Sequence, residues 1–156
     1  MGKVHARLGD ELKLWVRQLA WLNAVPQPPP GSRRAEVERQ PNKVSRLDKM
    51  KADGVPVQFP PNSAPHITHR LIEIGLMQSG AGGAVPLSWG EISAWQTNVH
   101  TRLEPWEARL IRALSIEYVA EGRRSESENA PSPWRAPITQ REIDLEIAAL
   151  EALFGP

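Results

Sequence analysis

The chain has no cysteine, so it can form no disulfide and offers no thiolate to a metal. Lysine does not occur after Lys51. No apolar run approaches the length of a bilayer span. The most apolar part of the front, LKLWVRQLAWLNAV at 12–25, carries Arg17 and stops at Pro26. The start, MGKVHARLGDELKLW, lacks the apolar core of a signal peptide. Together these absences predict a soluble, intracellular protein. Alternation of apolar and polar residues over strand length is also missing, which predicts an all-α fold. Phenylalanine and tyrosine are scarce, three residues together against six tryptophans.

Proline is plentiful: fifteen residues, gathered mainly at 26–30, 56–65 and 131–137. Each removes a backbone donor and restricts the residue before it. A helical part smaller than the whole chain, with tethered segments, is the expectation. Net charge is only +1, but residues 1–70 hold twelve Lys and Arg against six Asp and Glu, and residues 71–156 hold seven against twelve. A basic front and an acidic back can attract each other within the chain or between copies, the latter a route to self-association.

Helical spacing of Leu12, Trp15, Leu19 and Leu22 predicts a helix over 10–25, with Asp10 as N-cap and Pro26 as its stop. PQPPPGS then reads as a stiff spacer. A weaker helix is expected at 42–53 with a thin stripe of Val44, Leu47 and Met50, followed by turn and linker sequence. These parts make up a basic N-terminal segment, 1–62. From Ser63, expected as a cap, Ile67, Leu71 and Ile74 mark a helix that stops at Gly75, and QSGAGGA reads as a flexible connection. In PLSWGEI, Ser88 and Glu91 have the spacing of a capping box, and Leu87 can staple onto Ile92. That helix should run to about Val99. LEPWEARLIRALSIEYVAEG starts the next, with Pro105 in its first turn and Gly122 at its end. Trp106, Leu110, Leu114 and Tyr118 form its row. The short turn between these two helices predicts an antiparallel or crossed pair at the centre of a helical core over 63–122.

A polar linker over 123–137 should follow. The last part, 138–156, predicts an amphipathic helix. Thr139 and Glu142 repeat the capping box, Ile138 faces Ile143 as staple, and Ile147, Leu150 and Phe154 extend the stripe.

Sites for chemistry are thin. His66, His69 and Glu73 share a helix face, but the spacing is not that of a metalloprotease helix and no other ligand-rich segment joins them, so no metal or cofactor is expected. SGAGGA has neither a preceding strand nor a following lysine, unlike a phosphate loop. No nucleophile motif is recognisable, so the chain is read as non-catalytic. Glutamates 104, 107, 117 and 121 against arginines 102, 109 and 112 deny the second helix of the pair the basic footprint of a DNA reader. The tryptophans are the remaining signal. Ile92, Trp95, Trp106, Leu110 and Leu114 are expected in the core. Trp89, in a first helical turn, and Trp134 beside Arg135, in polar sequence, are poorer core candidates, and with Arg109 they are the expected partner contacts.

The ordered words HRLIEIG, GAVPLSWGEISAWQ, LEPWEARLIRALSIEYVAE and ENAPSPW, across about residues 67–134, resemble the tail assembly chaperones of long-tailed bacteriophages. Those proteins pair a proline-led capping segment and AWQ with PWE and a leucine/arginine helix. Two positions depart from that pattern: His100 stands where a glycine is expected, and Glu104 replaces a hydroxyl cap. The resemblance implies a protein of the infected bacterial host's cytoplasm that binds the tape-measure protein and helps tail-tube subunits polymerise around it. A minor tail or connector protein of the virion, or a small phage regulator binding a host protein or DNA, are the alternative readings.

Overall fold

The computed structural model describes residues 2–37 and 43–155. Its elements are helices α1 (Gly2–Asn23), α2 (Arg33–Val37), α3 (Arg46–Ala52) and α4 (Pro65–Ile74), strands β1 (Gln78–Gly80) and β2 (Gly83–Val85), then helices α5 (Trp89–Asn98), α6 (Pro105–Arg124) and α7 (Gln140–Phe154). The fold is mainly α, and two elements are added to the expectation: the short helix α2 and the antiparallel β1–β2 hairpin. The glycine-rich segment read as a flexible connection closes into that hairpin because Gly83 supplies a φ of +111°, a region costly for residues with a Cβ. The Arg123 guanidinium donates to the Ala84 carbonyl at 3.0 Å and holds the hairpin to α6.

α1 begins at Gly2, well before the expected Asp10, which sits exposed inside the helix and caps nothing. Nothing in residues 2–9 breaks a helix, and contact with α6 extends it: His5 stacks on Trp106 with ring centroids 4.6 Å apart. The principal partner of α6 is therefore α1 rather than α5. The two longest helices match in length, whereas α5 is half as long. Leu12, Val16 and Ala20 from α1, Ile67 and Leu71 from α4, Leu87 and Ile92 around the start of α5, and Ile111, Leu114 and Tyr118 from α6 make one buried cluster.

Polar groups lock these layers together. Ser115, fully buried on α6, accepts a hydrogen bond from the Leu87 N–H at 2.8 Å and donates to the Leu76 carbonyl at 2.6 Å, which fixes both flanks of the hairpin. Glu107 accepts from the Glu104 N–H and pairs with Arg70 of α4, each at 2.9 Å. One carboxylate thus caps α6 and ties it to α4, so the helix starts without a hydroxyl at 104. His100 has a φ of +51°, the left-handed conformation that a glycine there would take at less cost.

The segments around the prolines are pinned rather than loose. Gln27 and Ser127 form an isolated parallel bridge. The expected 42–53 helix is observed only as α3, capped by Ser45; residue 42 lies outside the described residues. Its buried anchor is not the predicted apolar stripe but Arg46. That guanidinium donates to the carbonyls of Trp21 (3.2 Å), Ser125 (2.6 Å) and Ser127 (2.8 Å), and lies 4.8 Å from the Trp21 ring centroid. Burial pulls its pKa below the ordinary arginine value, and the carbonyl dipoles take the place of solvent. The expected cap Ser63 is one residue early. Ala64 holds the N-cap position of α4, Asn62 accepts from the Ala64 N–H, and Ser63 bonds Glu11 of α1 instead. Among the described residues no helix is long and apolar enough to cross a membrane.

Candidate functional site

Ser88 caps α5 as expected, accepting from the Glu91 N–H at 3.2 Å. The return half of the box is made by another residue: the Ser88 N–H goes to Gln78 of β1 at 2.8 Å. Leu87 and Ile92 both point into the core at this turn, and that sends Trp89 outward, where it is 52% exposed. The guanidinium of Arg112 lies 5.4 Å from the centroid of the Trp89 ring, within the range of a cation–π contact. The Arg112 Nε–H is buried without a partner.

Arg112 belongs to a strip of α6 that turns its back on the core. Arg109, Arg112, Ala113, Ile116, Ala120 and Arg123 recur at helical spacing, on the side opposite Ile111, Leu114 and Tyr118. Arg109 and Arg123 are exposed, Ile116 is 42% exposed, and none of the acidic residues of α6 shares the strip. Glu117, at its margin, is engaged by Arg17 of α1 at 2.9 Å. An aromatic ring, an apolar side chain and the exposed Arg109 and Arg123 therefore face outward together, with Arg112 half-buried against the ring. Such a surface can grip an apolar partner that carries negative charge.

The other tryptophans are placed differently. Trp95 and Trp106 are half-buried against the core cluster, as is Leu110, while Ile92 and Leu114 lie wholly inside it. The Trp95 indole N–H is buried with no acceptor. Trp15 stacks on Phe59 at 5.0 Å. Trp21 donates to the Ala130 carbonyl at 2.9 Å. Trp134 is half-buried: its N–H reaches Gln18 of α1 at 3.2 Å, and its carbonyl accepts from Ser132. The stretch read as a polar linker is thus strapped along α1, with Arg135 exposed just beyond it. Trp134 and Arg135 lie with this strap, whereas Trp89 of α5 stands against Arg112 of α6, the helix that carries Arg109.

α7 has the cap expected of it. Thr139 accepts from the Glu142 N–H at 3.3 Å and Glu142 accepts from the Thr139 N–H at 2.7 Å. The Thr139 N–H, and the Thr139 hydroxyl donating at 3.0 Å, hold the Glu142 carboxyl below the usual carboxylate range. Every residue of the helix is exposed, including Ile143, Ile147, Leu150 and Phe154 of its stripe. Sequence reasoning found the stripe but assigned it no seat. The outer strip of α6 is masked in the sequence because the core row 106-110-114-118 dominates its pattern. The spacing of Arg109, Arg112, Ile116 and Arg123 was the available signal.

Among the described residues no group of three His, Cys, Asp or Glu could hold a metal ion. Comparison with protein-family models, curated proteins and solved structures finds no match to this chain.

Proposed function

We propose that the chain is a non-catalytic binding protein that covers apolar helical segments of a partner, acting as a tail assembly chaperone of long-tailed phages in the cytoplasm of the infected host. The observation that carries this reading is the exposed Trp89 ring under Arg112, with Ile116 one turn further along α6. A soluble chain that holds an indole in solvent beside guanidinium groups has a surface suited to a protein partner. The resemblance over residues 67–134 supplies the partner's identity: the tape-measure protein, held until tail-tube subunits assemble around it. A tape-measure helix would lie across the outer strip by helix-in-groove contact.

Co-expression with the tape-measure protein of the same genome tests the reading. A soluble complex that co-purifies, and that Trp89→Ala weakens by about tenfold or more, as expected for a hot-spot residue, is the predicted result. Purified components that form no complex at micromolar concentration would overturn it. Detection of the chain at stoichiometric level in purified virions would favour a structural tail protein instead.

A further inference from the structure

We propose that α7 of one copy docks on the outer strip of α6 of a second copy, so that the chain self-associates head to tail. α7 carries Ile143, Ile147, Leu150 and Phe154 at alternating four- and three-residue steps, the repeat of a helix seam, and all four are exposed. Asp144, Glu146 and Glu151 flank that seam. Two α7 helices laid together in either direction would set these carboxylates against one another, so the charge pattern rejects pairing of α7 with itself. It calls for an apolar line bordered by cations.

The outer strip of α6 has that composition. Ile116 is exposed, Ala113 and Ala120 on either side leave room for a second helix to approach, and Arg109, Arg112 and Arg123 border them without an acidic neighbour on the strip. A lone helix of fifteen residues is marginal in water, and burying its seam against this strip would stabilise it.

Reach points to a second copy rather than the same one. Trp134 is held by Gln18, which lies on α1 away from the side where His5 and Asn23 meet α6. The six Cα steps from Trp134 to the start of α7 at Gln140 extend at most about 20–22 Å. The straight line through two packed helices from the back of α1 to the outer face of α6 is already about 20 Å, and the path around them is about 25 Å. A contact between unlike surfaces also leaves a pair of copies with one free α7 and one free strip between them, so association continues into rings or chains. A tape-measure helix and α7 of a second copy would compete for this one strip. Self-association is therefore tested on the chain alone, and its failure would leave the tape-measure reading standing.

Sedimentation of the full chain over a concentration series tests it, using two variants that change only exposed side chains. Ile147→Asp with Leu150→Asp breaks the seam; Arg109→Glu with Ile116→Glu breaks the seat. The wild type should pass from monomer to dimer and larger species by about 100 μM, a range typical of a weak contact, and added salt should shift it back. Each variant should stay monomeric with an unchanged circular dichroism spectrum. Mixing the two should restore a species of two chains and no larger, because one intact seam meets one intact seat. A wild type that stays monomeric, association that survives either variant, or a mixture that stays monomeric would each overturn the proposal.

Discussion

α6 and α7 begin alike and end up in opposite surroundings. Each has a glutamate three residues past its cap whose side chain closes back on the cap N–H, and each carries an apolar stripe several turns long. The stripe of α6 is buried against α1 and α4, with Ile111 and Leu114 at zero exposure. The stripe of α7 touches nothing comparable, and Ile147 is 48% exposed. Amphipathicity states that a face requires cover. It does not say whether the cover comes from the same chain.

Removing cover from α6 should have the largest effect. Leu114→Ala should cost about 2–5 kcal/mol and lower the whole melting transition, read by circular dichroism. Next is the Arg46 corner, where three carbonyls share one guanidinium. Arg46→Met should cost about 2–4 kcal/mol by stranding those acceptors, and hydrogen exchange should show the 125–130 strap loosening from α1. Ser88→Ala should cost about 1 kcal/mol and lower the melting temperature slightly. A melting curve that does not move would mean the Ser88 hydroxyl contributes nothing to the start of α5.

The smallest expected change separates the two helices most cleanly. Glu142 has a folded pKa below its unfolded value, so its contribution is complete above the unfolded value and is lost as pH falls through the folded one. Acidification through that lower window should fray the start of α7. Nuclear magnetic resonance shifts of residues 140–143 should report it while the α1–α6 core amides hold. Simultaneous loss of both would show that α7 is part of the core's cooperative unit.

Much of the secondary structure was legible in the sequence because its signals are local. Ser88, Thr139, Pro105 and Gly75 act within one turn of where they stand, and the structure uses each at its expected helix end. Features that depend on contacts distant in sequence were not legible. Nothing in residues 2–9 announces that α6 will extend α1, and no periodicity marks Arg46 as the buried residue of α3. The hairpin escaped notice because three-residue strands are too short to show alternation. At the candidate site, the outward turn of Trp89 follows from its place beside the Leu87–Ile92 staple. The grouping of arginines on α6 was hidden by counting charge along the chain, which labels that half acidic.

The comparison of α6 with α7 is tested most directly by hydrogen exchange of the full chain, dilute and then concentrated. In dilute protein, the amides of α1 and α6 should be protected to the level of global unfolding while those of α7 exchange as a fraying helix. On concentration, protection should rise most in α7, with only a smaller gain in α1 and α6. Protection of α7 equal to that of α6 in dilute protein would contradict the account, because its stripe would then be covered within the same chain.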